Sequence, residues 1–248
     1  MLNKLDWLPY QSWMNAAGTG GFAIEKEFLK AFPAMKLFVT NPVSLSSRQP
    51  SNHRGIYPSE GGFLLHSGWP NPGLHQVIKK YKGYWVRSSI PVIVNLLVNE
   101  PTETKKMVQM LEEIDNILAL EFSFGKDASA ALVFENLEAG FGKLPVIAKI
   151  PMERVQEEWL DEIRKKPVDA ISLQPPRGII KNQDRLVQGR LFGAGILPIT
   201  MQAVKSAVRL NLPILAGAGV IDLHQLDVLF ELGMYAFQFY EFGWRGIL

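Results

Sequence analysis

Lys149 lies in the otherwise apolar run Pro145-Val146-Ile147-Ala148-Lys149-Ile150. A buried ammonium is costly unless it is paired or hydrogen-bonded. This lysine therefore either reaches solvent or a carboxylate such as Glu121, or it serves an anionic ligand or an electron-rich cofactor ring. Two glycine clusters offer another kind of chemistry. Residues 16–21 (AAGTGG) allow a backbone to approach a ligand closely, and residues 216–220 (AGAGV) are suited to presenting backbone N–H groups to a phosphate. Tyr240-Glu241 opposes the second use, since a carboxylate repels a phosphate and a phenol fills its space. The four histidines, His53, His66, His75 and His224, show no metal-ligand spacing, so no metal is expected. The absence of cysteine excludes thiolate sites, thiol nucleophiles and disulfides.

The elements that must position these residues alternate along the chain. Strand-like runs rich in β-branched residues occur at 12–16, 36–40, 91–97, 117–123, 145–150, 168–173, 212–217 and 235–240. Segments of helical period lie between them, at about 22–31, 72–81, 101–113, 129–140, 153–165, 198–210 and 222–232. Several strands are continuously apolar, as in a parallel sheet covered on both faces. Four open just after a proline, at Pro91, Pro145, Pro167 and Pro213, where no ladder donor is needed. Eight such units predict a (β/α)8 TIM barrel, with an open doubly wound sheet as the alternative. No Gly-x-Gly-x-x-Gly follows the first strand, which weakens that alternative. Residues 41–71 and 174–197 read as long loops after strands 2 and 6, emerging at the C-terminal face where barrel chemistry is found.

The chain has 248 residues, with 26 Lys+Arg against 24 Asp+Glu. One domain over residues 1–248 is expected. So near-neutral a balance argues against nucleic acid as a partner. No apolar run reaches the roughly 18 residues of a membrane span, and the opening MLNKLDWLPYQSW lacks the layout of a secretory signal. The expectation is a cytoplasmic protein taking a small-molecule ligand at the C-terminal face of the barrel.

Taken in order, several stretches resemble the dihydroorotate dehydrogenase-like family of FMN-binding barrels. They are Met14-Asn15-Ala16-Ala17-Gly18, Phe38-Val39-Thr40, Gly68-Trp69-Pro70-Asn71-Pro72-Gly73, Pro91-Val92-Ile93-Val94-Asn95 and Pro145-Val146-Ile147-Ala148-Lys149. Gly189-Arg190-Leu191-Phe192-Gly193 then leads to Pro198-Ile199, and Pro213-Ile214-Leu215 to Gly219-Val220. The resemblance implies a flavin across the barrel mouth, with Ala16, Ala17 and Gly18 along its ring and Lys149 at the electron-rich edge. It further implies Asn95 in the flavin shell, Asn71 and His66 in the substrate shell, Gly193 and Gly219 at the ribityl phosphate, and a possible homodimer.

The departures fall on the chemistry. The family signature that supplies the proton-abstracting base reads here Ser123-Phe124-Gly125-Lys126-Asp127-Ala128, leaving Ser123, Ser129 and Lys126 as the nearby catalytic candidates. In the phosphate region Ala218 stands for a glycine, and Tyr240-Glu241 for Gly-Thr or Gly-Ser. Two functions follow: an FMN-dependent oxidoreductase acting on a substrate other than dihydroorotate, or a barrel that has lost FMN and serves in binding or regulation. A third is flavin-free amine or acid–base chemistry by Lys149 and Glu121.

Overall fold

The computed structural model describes residues 7–241, and their central feature is a closed barrel of eight parallel strands. In chain order these are β1 (Trp13–Asn15), β2 (Met35–Val39), β5 (Val92–Val98), β6 (Ile117–Phe124), β7 (Val146–Pro151), β8 (Ala170–Gln174), β11 (Ile214–Ala216) and β12 (Ala236–Phe239), with β12 pairing back onto β1. Each lies within two residues of its sequence-predicted span. Prolines at the strand entries do the work assigned to them. The carbonyls of Pro91, Pro145 and Pro213 accept from Phe38, Leu120 and Ile171 N–H, and no ladder donor is required of the prolines themselves.

Helices α1 (Lys26–Ala31), α2 (Leu74–Val86), α3 (Pro101–Leu111), α4 (Ala130–Ala139), α5 (Leu197–Ala207) and α6 (His224–Glu231) surround the barrel. Pro101 occupies the first turn of α3, and Ser129 Oγ caps α4 by accepting from Leu132 N–H at 3.2 Å. Two helical expectations change. Residues 153–165 form 3₁₀ turns, Met152–Arg154 and Glu158–Lys165. The Arg154–Glu157 and Glu162–Lys165 pairs are spaced i,i+3, which a 3₁₀ turn eclipses. Residues 22–25 also stay out of α1, where the Phe22 carbonyl accepts from the Trp85 indole at 2.6 Å.

Both expected loops contain sheet. Residues 41–71 carry β3 (Gly55–Ser59) and β4 (Gly62–His66), and residues 174–197 carry β9 (Arg177–Asn182) and β10 (Arg185–Phe192). Each pair is an antiparallel hairpin closed by two residues, Glu60-Gly61 and Gln183-Asp184. Strand β10 pairs with β4, so two hairpins over a hundred residues apart join as one sheet in the order β3-β4-β10-β9.

Inside the barrel, the period of two separates an apolar layer from a polar one. Ile93, Ala119, Ile147, Ala170 and Ala236 pack with Met14, Leu37, Val39 and Leu215, and Leu8 joins them from the segment before β1. Two residues further along the same strands stand Asn95, Glu121, Lys149, Ser172 and Gln238, all buried. The larger core lies between the barrel wall and its helices.

Candidate functional site

The polar layer is one connected network. Lys149 Nζ lies 3.3 and 3.2 Å from the two carboxylate oxygens of Glu121 and 3.4 Å from Gln238 Oε1. Gln238 Nε2 donates to Glu121 at 2.8 Å, Ser172 Oγ donates to Gln238 at 2.8 Å, and Asn95 Nδ2 donates to Glu121 and, at 2.9 Å, to Ser123 Oγ. Burial alone pushes the Glu121 carboxyl up, but Lys149 and the amide donors more than offset it and hold it below the usual carboxylate range. Burial pulls the Lys149 ammonium down, opposed by Glu121. Of the alternatives for Lys149, its partner is the Glu121 carboxylate on the adjacent strand β6, in the same layer.

Above this layer, between the barrel mouth and the hairpin sheet, is a cavity of about 570 Å³. Phe63, Trp69, Phe192 and Tyr240 give it aromatic walls, while Ser123, Lys149, Gln174 and Arg190 supply polar groups. Phe63 and Phe192 stack at 5.4 Å, Phe192 meets Tyr240 at 5.7 Å, and Lys149 Nζ sits 5.6 Å from the centre of the Tyr240 ring. Burial raises the Tyr240 phenol well above its ordinary value, so it stands here as a neutral donor, 3.5 Å from the Leu173 carbonyl.

A second, more polar cleft of about 620 Å³ adjoins the first and shares Leu65, Ser67, Trp69, Ser123 and Arg190 with it. Arg190 is buried. Its Nη1 donates to the Pro175 carbonyl at 2.7 Å, its Nη2 donates to Gln174 Oε1, and Glu153 lies 3.5 Å away. Burial brings its guanidinium down to about 10, with Glu153 opposing and Arg177 adding to the fall.

The glycine N–H groups are already engaged. Glu241 Oε1 accepts from Gly193 N–H at 3.0 Å and from Gly219 N–H at 2.8 Å. Both glycines have positive φ, +120° and +83°, and a Cβ on either would come within 2.3 Å of neighbouring backbone. The cradle is therefore built, and it holds a carboxylate of the same chain.

Of the residues singled out in the sequence, Ala17, Gly18, Ser123 and Lys149 line the aromatic cavity. Ala16 is buried in the core beside it, and Asn95 lies beneath, bonded to Ser123 and Glu121. Lys126 is on the rim of the polar cleft, paired with Asp127 at 3.0 Å. His66 also lines that cleft, with its ring nitrogens against the Gln188 and Asn52 carbonyls at 2.7 and 3.2 Å. Asn71 is buried in the 41–71 segment, where its side chain bonds Ser44, Trp69 and Gly73. Sequence reasoning passed over Ser172, Gln238 and Arg190. The first two carried the same signal as Lys149, a polar residue in an apolar strand. Arg190 had none, because its burial depends on a sheet assembled from distant hairpins. Among the described residues, no group of histidines and carboxylates could hold a metal.

No family model matches the chain. It is 23% identical to the catalytic subunit of dihydroorotate dehydrogenase B (NAD(+)) from Petrotoga mobilis, over 90% of this chain and 81% of that one. The corresponding subunit from Desulforamulus reducens is 22% identical over 84% of this chain and 75% of its own. Among solved structures, dihydroorotate dehydrogenase from Eimeria tenella, in complex with ferulenol, superposes with a TM-score of 0.75 at 12% identity, over 96% of this chain and 82% of that one. FabK from Thermotoga maritima matches with a TM-score of 0.54 at 16% identity, covering 96% of this chain and 61% of its own.

Proposed function

We propose that this chain, a dihydroorotate dehydrogenase-like (β/α)8 barrel, is a receptor for a small organic ligand at the barrel mouth and works without FMN bound in the manner its resemblance implies. What carries this is the Glu241 carboxylate on the N–H groups of Gly193 and Gly219. A phosphate entering that cradle would lose its donors and meet a like charge. At about 4 Å and an effective dielectric near 20, each such unit pair costs roughly 4 kcal/mol, or about three powers of ten in affinity. The residues present do not fit the cofactor's phosphate. The chemistry of a dehydrogenase also lacks a poised base: Ser123 Oγ exchanges hydrogen bonds with the Asn95 amide at 2.9 and 3.1 Å, and Lys126 is an exposed partner of Asp127. A nucleophile or base at Ser123 would need an adjacent proton acceptor to activate it.

The remaining parts suit binding. Aromatic walls offer flat apolar contact, and a few polar groups fix orientation, the usual make-up of a ligand cavity. The Glu121–Lys149 network holds its own charges in place below. The second reading, a flavin-dependent oxidoreductase acting on another substrate, is favoured by Ala17, Gly18 and Lys149 bordering one cavity, since these are the ring-side residues of the resemblance.

The visible spectrum of the purified protein separates the two. After FMN is added and the protein desalted, the receptor reading expects no retained flavin absorbance. It also expects Glu241→Gly, which frees the two N–H donors, to retain measurably more. A wild-type protein that keeps one flavin per chain establishes the oxidoreductase reading instead.

A further inference from the structure

The polar cleft beside the aromatic cavity is strongly one-sided in charge. Arg48, Lys126, Arg177 and Arg190 line it against a single carboxylate, Glu103. Lys126 is paired with its neighbour Asp127, and Arg190 lies 3.5 Å from Glu153. Arg48 Nε contacts the Gly68 carbonyl at 3.3 Å, and its charge meets no carboxylate in the ion pairs of the described residues; the same holds for Arg177.

Arg177 and Arg190 are also placed against each other. They are directly opposed on the antiparallel strands β9 and β10, so their side chains leave the same face of the sheet, and both reach the cleft. Like charges directly opposite across a ladder are destabilising. Arg190 is 7% exposed, and its Nε is buried with no hydrogen-bond partner among the described residues. A buried donor left unpaired carries a further cost. Repulsion and an unmet donor at one point are both relieved by an oxyanion. Ser47 and Ser67 line the same cleft and add hydroxyl donors.

The cleft and the aromatic cavity meet at Arg190, Ser67 and Trp69. We infer that the ligand of this barrel is a small molecule with a flat apolar body and one oxyanion group, the body against the wall formed by Phe63, Phe192 and Tyr240 and the oxyanion at Arg177 and Arg190. This deepens the receptor reading and rests on it. The anionic end lies in the polar cleft, which none of the cradle residues Gly193, Gly219 and Glu241 lines. A guanidinium fork recognises both carboxylate and phosphate, so the two are left to experiment.

Titration calorimetry of the full-length protein with phenyl phosphate, benzoate, benzyl alcohol and inorganic phosphate tests the inference. Phenyl phosphate or benzoate should bind at least about tenfold more tightly than benzyl alcohol and than inorganic phosphate. Whichever of the two binds better identifies the oxyanion. The decisive variant is Arg177→Gln, at an exposed position where folding is preserved. It should raise the ligand-free Tm by about 1–3 °C, through loss of the cross-strand repulsion, while weakening the preferred probe about tenfold or more. Arg48→Gln should weaken the probe without raising Tm, since Arg48 has no opposed arginine.

Equal binding of benzyl alcohol and the anionic probes would overturn the inference. So would an Arg177→Gln protein that binds as the wild type does. Inorganic phosphate binding as tightly as phenyl phosphate would overturn the two-part site. Retained FMN in the wild type defeats the receptor reading by a separate measurement and leaves these titrations to stand or fall alone.

Discussion

Glu121 is fully buried, and three side chains reach its carboxylate: Lys149, Gln238 and Asn95. A buried ion pair adds little net stability compared with apolar packing, but removing one partner strands the other charge at a cost of about 3–5 kcal/mol. Glu121→Gln is therefore expected to lower stability by that amount, read from denaturant unfolding. The pH dependence has a defined sign. Glu121 is held below its ordinary value, so its contribution is complete above the carboxylate range and is lost as pH falls through the lowered value. Lys149 is pulled down by burial, so the unfolded chain binds its proton more readily, and stability rises as pH climbs toward the ordinary lysine value. In Glu121→Gln the carboxylate that supported the ammonium is gone. The variant's Tm should then recover between pH 7 and 10 relative to the wild type. A constant gap between the two proteins over that range would mean that Lys149 does not titrate against Glu121.

The hairpin sheet is the element that the sequence concealed. Its strands are only half-buried, β3 contains Pro58, and β4 and β10 carry glycines, all of which read as loop. Those glycines have a packing cause. A Cβ at Gly189 would lie 2.4 Å from the Leu65 carbonyl, and one at Gly62 only 1.8 Å from the Phe192 carbonyl. Part of the glycine pattern that resembles a flavin-binding turn is thus also what strand pairing between β4 and β10 demands. Gly62→Ala should force β4 away from β10 and cost about 2–4 kcal/mol if the sheet stays joined. Where it opens instead, the cavity loses the Phe63 wall, and probe binding falls with little change in Tm. A variant matching the wild type in both Tm and probe binding would show that the β4–β10 contact is dispensable.

At the scale of the molecule, the eight strands were legible because nearly all their residues are buried, Lys36 of β2 being exposed. Continuous apolar runs entered through prolines leave little else to form. The polar layer was half legible: Lys149 stood out against its strand, and Ser172 and Gln238 carried the same signal, but their joining into one network is visible only when the barrel closes and β12 returns beside β1. Glu241 was legible as an obstacle to a phosphate, but its seat on the Gly193 and Gly219 N–H groups depends on three separate loops coming together. This division has a dynamic consequence. Strands β5 to β8 are buried along almost their whole length, whereas the hairpin sheet exposes Ile56, Ile179 and Leu186 to solvent. Amides of β5 to β8 should exchange with deuterium only through global unfolding, and those of β3, β4, β9 and β10 through local opening at lower free energy, with protection smaller by about a hundredfold or more. A ligand held between barrel and sheet raises the free energy of every opening that releases it, the lifting of the sheet and global unfolding alike. The better of the two anionic probes should therefore slow exchange in the four hairpin strands and in β6 and β7 by a similar factor, and slowing confined to β6 and β7 would mean that the sheet opens without releasing the ligand. If the hairpin amides are as protected as β6 in the free protein, the sheet unfolds only with the barrel, and ligand entry proceeds through the existing openings of the cleft without the sheet lifting.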